Sequence, residues 1–311
     1  MYFPYFRGKQ FELITIRETA ALLAKAGFVP IIEPVRESLS GLDRTLQAIA
    51  EVGGRAIVVV NPDYGDHQAD GFEIQALLQG RFGGSPAVAA GILLHSRMTV
   101  DNAREYFNVH QAQSPTLVHA GFTDPKGLAH ALADELPQLR NVFIDDKARM
   151  LYRRHFDSRD RVLIRDGFRR QRNADYPELE EFSDLHATYR DLGMTGFGDF
   201  LIVGDEYSES GGPAYAVAIH ITFIDPRQDD AMFVYHFISD TRDTPTDPAG
   251  KFGQALNKLV KKLDRGDSQI LETRAIAEFR DFHARRHFPG LGYVKKLSMR
   301  HHIETLASYF G

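Results

Sequence analysis

One short motif recurs along this chain: an apolar, β-branched run that stops at a polar or charged side chain. GFVPIIEPV stops at Glu33, RAIVVVNP at Asn61, VAAGILLHS at His95, PTLVHAG at His119, RNVFIDD at Asp145 and Asp146, RVLIRDG at Arg165 and Asp166, and DFLIVGD at Asp205. With the opening YFPYFRGK, whose basic end carries Arg7 and Lys9, the motif occurs eight times. Amphipathic stretches of helix length separate the runs. Short strands alternating with helices make a parallel sheet with crossover helices, and eight such units are what a closed (β/α)8 barrel needs. Parallel strands end on one face. The polar residues that close the runs are therefore expected to gather around a single mouth, the face on which barrel enzymes carry their chemistry.

The chain is long enough for this. Its 311 residues, 43% of them hydrophobic, suit one barrel of about 250 residues with an appendage, two unrelated domains being the alternative. A formal net charge of −5 argues against a broadly positive surface for duplex DNA and leaves room for a local basic patch. The absence of cysteine excludes disulfides, thiolate metal sites and cysteine nucleophiles, and fits a cytoplasmic protein. No run approaches the roughly 18 apolar residues of a membrane span, so a soluble protein with no membrane partner is expected.

Taken in order, the pattern predicts strands at Tyr2–Phe6, around Ile31, at Ala56–Val60, Val88–Leu94, Thr116–His119, Asn141–Ile144, Arg161–Ile164 and Phe200–Val203. Helical periodicity fills the intervals, beginning with Phe11, Leu13, Ile14, Ile16, Leu22 and Leu23 as far as Gly27. The beat breaks at 168–184 (FRRQRNADYPELEEFSD), a polar loop of a length that is usually functional or disordered. After Asp205, Tyr215, Val217, Ile219, Ile221 and Phe223 alternate with smaller or polar residues, and Phe233, Tyr235 and Phe237 repeat the alternation. This predicts an antiparallel hairpin, about 213–239, inserted after strand eight. The stretch 248–263 is then expected as the eighth crossover helix. The domain expectation is a barrel over 1–265, hairpin included, and a C-terminal helical cap over 266–311 packed on it.

The candidate site is the ring Lys9, Glu33, Asn61, His95, His119, Asp145, Arg165 and Asp205. His95 and His119 close neighbouring strands, so their imidazoles are expected to meet as general base and general acid for attack at a phosphodiester. Lys9 and Arg165 would neutralise the phosphoryl charge, with Arg169 and Arg170 of the polar loop as further phosphate ligands. Glu33, Asp145 and Asp205 would orient these groups. Alternatively, Glu33, His95, His119 and Asp145 would hold a divalent metal ion that activates water, although no HExxH-type motif supports it. GKQ at Gly8 lacks the P-loop frame, and the glycines of GFGDF precede a strand instead of following one, so neither is a nucleotide fingerprint. His283, His287, His301 and His302 lie among basic residues on C-terminal helices, where packing or solvation is the expected role.

The opening YFPYFRGKQFEL, with its aromatic-proline strand, basic residue and Glu-Leu helix start, followed by VPIIEPV, resembles the bacterial and phage "beta protein" family and its close bacterial relatives. The resemblance is specific over residues 1–35, with a looser echo in GFGDFLIVGD and the aromatic hairpin. It implies a barrel-like protein from mobile or phage-defence gene neighbourhoods, beside a nuclease-like protein partner. It assigns no reaction and transfers no catalytic residue. The functional expectation is thus a barrel hydrolase, a phosphodiesterase or nuclease-like enzyme, acting on a phosphate-containing small molecule or nucleic acid. The alternative is a non-catalytic binding or sensor protein of a defence gene pair, using the barrel mouth and the aromatic hairpin to hold a partner or nucleic acid.

Overall fold

The computed structural model describes residues 1–209 and 212–311. It divides into two compact units, one of Met1–Asp166 with Thr188–Phe200, the other of Gly167–Ala187 with Leu201–Gly311.

The first unit is the expected barrel. Its elements begin β1 (Tyr5–Phe6), α1 (Gln10–Ala26), β2 (Ile31–Ile32), α2 (Ser40–Glu51), β3 (Ala56–Val59), α3 (Phe72–Phe82), β4 (Val88–His95) and α4 (Val100–Val109). They continue with β5 (Thr116–Ala120), α5 (Pro125–Ala131), β6 (Arg140–Ile144), α6 (Met150–Arg153) and β7 (Asp160–Ile164). The chain then lends β8 (Leu179–Ser183) to the second unit and returns through α7 (Leu185–Thr188) to β9 (Gly196–Gly198), the eighth barrel strand. The sheet order is β1-β2-β3-β4-β5-β6-β7-β9, parallel throughout. Closure is made by the N-terminal segment: Phe3 N–H donates to Phe197 O at 2.8 Å and Tyr5 N–H to Asp199 O at 2.9 Å. Beside this seam the Tyr2 hydroxyl donates to Asp199 Oδ1 at 2.7 Å. Burial, reinforced by that carboxylate, holds the Tyr2 phenol well above its usual range.

Two sequence expectations are corrected here. The eighth strand is Gly-Phe-Gly at 196–198, and of the expected strand Phe200 is irregular and 201–203 is turn. The glycines have a packing reason: a Cβ on Gly198 would overlap the Phe3 carbonyl and the Ile164 side chain, so the closing strand must be nearly bare to lie against β1. The polar stretch 168–184 is also more than a loop, because it contains β8.

In the second unit β10 (Ala218–Asp225) and β11 (Ala231–Ile238) form the expected hairpin, and β8 adds to β11 in the order β10-β11-β8. Helices α8 (Pro248–Asp264), α9 (Arg274–Arg285) and α10 (Leu291–Phe310) follow. Strict alternation sends Ile219, Ile221, Phe223, Tyr235 and Phe237 into a cluster with Phe252, Leu256 and Leu259 of α8 and Ile276 and Phe279 of α9. So α8, expected as the barrel's last crossover, covers the hairpin instead. The domain division accordingly falls at 166, 187 and 200 and not near 265. His301 and His302 are packing residues: His301 Nε2 bonds Thr222 O at 2.8 Å, and His302 Nδ1 lies 3.0 Å from the Thr222 hydroxyl. Among the described residues no helix is long and apolar enough to cross a membrane.

Candidate functional site

Which residues reach the mouth depends on which side of each strand faces the lumen. The lumen core is Phe3, Tyr5, Val29, Ile31, Ile57, Val59, Leu93, Val118, Val142, Ile144, Val162, Ile164 and Phe200. Side chains alternate along a strand. Extending the same alternation to the strand ends brings Arg7, Glu33, Asn61 and His95 to the mouth.

Arg7 and Glu33 form its centre. Glu33 is fully buried and Arg7 is 6% exposed. The carboxylate accepts from the Arg7 guanidinium, from the Tyr5 hydroxyl at 2.7 Å and from the Asp63 N–H at 2.9 Å. The guanidinium carbon lies 4.9 Å from the centre of the Tyr64 ring, 5.2 Å from that of Tyr5 and 5.5 Å from that of Phe200. A buried charge is tolerated only when it is paired and hydrogen-bonded, and here both partners are. Glu33 therefore organises the mouth. The cation at the first strand's lip is Arg7, whereas Lys9 is the N-cap residue of α1, its N–H 3.4 Å from Glu12 Oε2. Asn61 is also committed: its amide donates to Leu93 O at 2.9 Å and accepts from Leu93 N–H at 2.8 Å, bracing β3 against β4.

The expected His95–His119 pair does not form. In the β4–β5 register His95 stands opposite Ala120 and His119 opposite Leu94, so the two rings leave the sheet on opposite sides. His119 is fully buried among Phe143, Tyr152 and Phe156, with ring centres 4.7, 5.4 and 4.3 Å away. Its Nε2–H donates to Asn141 Oδ1 at 2.9 Å and its Nδ1 accepts from the Tyr152 hydroxyl at 2.7 Å. Asn141 is oriented by its own amide, which donates to Ser158 Oγ at 2.9 Å. Burial pulls the His119 pKa down to about 3, against a smaller upward pull from Asn141. A neutral imidazole with both nitrogens in use is neither a proton shuttle nor a metal ligand.

Asp145 and Arg165 do meet, but as partners of each other. Arg165 Nε donates to Asp145 Oδ2 at 2.8 Å, and Arg153 supplies a second cation at 3.2 Å. The backbone N–H groups of Asp145 and Arg165 continue the barrel ladder to Ile164 and Gly198, which places both side chains on the alternation opposite to the lumen. Asp205, Arg169 and Arg170 belong to the second unit, where Arg170 donates to Glu206 O at 3.0 Å. Glu33, His95, His119 and Asp145 are thus not assembled as a ligand set, and among the described residues no three histidines or carboxylates are grouped to hold a metal ion.

What the barrel offers instead is a cavity of about 220 Å³ between the loops after β3 and β4, lined by Asn61, His67, Asp70, His95, Arg97, Asn102 and Tyr106 among others. Gly65 lets the first loop fold back: it sits at φ +79°, and a Cβ there would collide with the Val35 backbone. Two histidines share this cavity, and the partners of each fix its tautomer. His95 Nδ1 faces the Arg97 N–H at 3.2 Å and must accept, so the proton resides on Nε2. His67 Nε2 lies 3.0 Å from Arg36 O, which can only accept, so Nε2 carries a proton and, in the neutral ring, Nδ1 is the acceptor. One ring is left with a donor and the other with an acceptor. Burial lowers the His95 pKa, with Asp63 pulling it up and Arg97 down. Arg97 pairs with Asp63 at the rim and is otherwise exposed.

His67, Arg97 and Tyr106 were missed because they lie within a polar loop and a helix and close no apolar run. The signal that could have found His67 is its position between Gly65 and Gly71 in a long loop after a barrel strand. Compared with models of protein families, with curated proteins and with solved structures, the chain matches none of them.

Proposed function

We propose that this chain is a barrel enzyme that carries out base-assisted hydrolysis of a small anionic substrate, with a phosphate ester as the leading class, in the cavity shared by His67 and His95. The observation that carries this is the complementary pair of tautomers at the C-terminal ends of β3 and β4, one acceptor and one donor in one polar cavity. His67 Nδ1 would take the proton from the attacking water and return it to the leaving oxygen as the ester bond breaks. His95 Nε2–H would hydrogen-bond the oxygen on which charge develops. Its Nδ1 already accepts from the Arg97 N–H, so His95 works as a neutral donor and not as an imidazolium. Arg97 would exchange Asp63 for the substrate's anionic group. The volume suits a phosphoryl group with a small alcohol.

The test is turnover of aryl phosphate mono- and diesters and of nucleotides by wild type, His67→Gln and His95→Gln. Loss of a positioned base is expected to cost about 10²- to 10⁴-fold for His67→Gln. Folded variants that match wild type would overturn the assignment. Phosphate binding without turnover by wild type would favour the non-catalytic reading, with Phe223, Tyr235 and Phe237 of the hairpin buried and Tyr215 half exposed.

A further inference from the structure

A second cavity, of about 420 Å³, lies wholly within the other unit, where the C-terminal half of α8 faces the end of β11 and residues 174–178. Its walls carry Arg242, Lys258, Lys261, Lys262 and Arg265 against Glu178 and Asp240. Five cations to two carboxylates is a marked local excess in a chain whose formal net charge is −5. Four of the five follow one another at positions 258, 261, 262 and 265, the three- and four-residue spacing that puts side chains on one helix face. Like charges so placed repel and weaken the helix. The helix dipole favours cations in the last turn, which accounts for Lys261 and Lys262. It does not account for Lys258, a turn earlier, or for Arg242 from a separate segment.

The cations divide by their partners. Lys258 is fixed by Ile238 O and Asp240, both at 2.7 Å, and Arg242 by Ala174 O at 3.2 Å. Lys262 pairs with Asp267 at 3.1 Å. The side chains of Lys261 and Arg265 make no hydrogen bond or close ion pair among the described residues, Arg265 acting on Asp267 only at longer range. The wall opposite is packed and hydrogen-bonded. The buried His236 ring stacks on Tyr176 at 4.5 Å, donates through Nε2 to Glu180 at 3.0 Å, and meets His220 nitrogen to nitrogen at 2.7 Å. A volume of about 420 Å³ falls within the roughly 300–1,000 Å³ of small-molecule sites. Four of the cations line the α8 wall of this concavity and Arg242 stands on a separate segment of its lining.

We propose that this cavity binds a small ligand carrying two or more linked phosphates, held chiefly by Lys261, Arg265, Arg242 and Lys258. Inorganic polyphosphate and nucleoside polyphosphates share this chemistry. The site is independent of the histidine cavity in the barrel.

The test is calorimetric titration of the full chain with tripolyphosphate, ATP and orthophosphate at low ionic strength, for wild type, the double variant Lys261→Gln/Arg265→Gln, and His95→Gln. Wild type is expected to bind at least one of the two polyphosphates, and to bind it more tightly than orthophosphate. Preference for ATP would assign a nucleoside polyphosphate, and equal or tighter tripolyphosphate the inorganic chain. The double variant should lose about tenfold or more in affinity, the scale of a lost charge-assisted hydrogen bond, with an unchanged melting temperature. His95→Gln should keep the tripolyphosphate binding that the double variant loses, whatever it does to ATP or orthophosphate held in the barrel cavity. No binding at millimolar concentrations, undiminished affinity in the double variant, or loss of tripolyphosphate binding in His95→Gln would each overturn the proposal. So would a single-stranded oligonucleotide that binds more tightly than either polyphosphate and depends on the same two residues.

Discussion

The place of His119 in the barrel's outer layer, away from the mouth, has a measurable consequence in acid. The folded-state pKa is held near 3 by burial, whereas an unfolded histidine titrates near 6.5. Between those values the unfolded chain binds the extra proton, so stability rises with pH across the window and falls as pH drops from 6.5 toward 3. At about 1.36 kcal/mol per pH unit, lowering the pH from 7.5 to 5.0 costs the barrel about 2 kcal/mol through this ring alone. His119→Leu removes the titration. At pH 7.5 it strands the Asn141 and Tyr152 partners and is expected to cost about 2–4 kcal/mol. At pH 5.0 wild type has lost its share and the variant has not, so the difference between them should shrink by about 2 kcal/mol. Urea unfolding followed by far-UV circular dichroism reads this, since the chain has no tryptophan. If two transitions separate, the one moved by the substitution is the barrel's. A wild-type-to-variant difference that is the same at both pH values would refute the reasoning. It would mean that the ring protonates equally in the folded and unfolded chain, as a solvent-facing histidine at the mouth would.

Two further outcomes follow from the mouth itself. Glu33→Leu leaves the Arg7 charge buried without its carboxylate and is expected to destabilise by about 3–5 kcal/mol, whereas Arg7→Met/Glu33→Leu together should recover most of that loss. A double variant no more stable than the single one, in a double-mutant cycle by chemical denaturation, would show that the pair is not the unit described. Gly65→Ala should cost about 1–3 kcal/mol and displace the loop carrying His67, lowering turnover without touching a proton-transfer group. Gly84→Ala, at the same φ of +79° but with open space around it, is the control, expected to retain wild-type turnover.

The barrel was legible in the sequence because each strand of a buried parallel sheet is a short apolar run, and such runs stand out between amphipathic helices. The same property hid the site. Runs buried on both faces carry no alternation, so nothing in PTLVHAG says whether His119 or Ala120 faces the lumen, and a one-residue change of parity exchanges the two sides of the sheet. Position at the end of a run was therefore a sound guide to the mouth for only three of the eight expected residues: Glu33, Asn61 and His95 reach it, while His119, Asp145 and Arg165 continue the opposite face, Lys9 caps α1 and Asp205 belongs to the second unit. Where alternation does exist it was read correctly, as in the hairpin, whose apolar face α8 and α9 cover. The two elements misplaced in the fold fail for a related reason. Strand β9 is Gly-Phe-Gly because Phe3 and Ile164 occupy the space its side chains would need, and β8 is LEEFS because it lies at the sheet's edge beside β11. Neither requirement leaves an apolar run behind. Parity separates the two histidines once the register is known: Leu93 faces the lumen and so does His95, and the β5 residue opposite His95, Ala120, shares its side. Register thus decides that chemistry at this mouth, if His95 takes part in it, draws its second imidazole from the loop after β3 and not from β5.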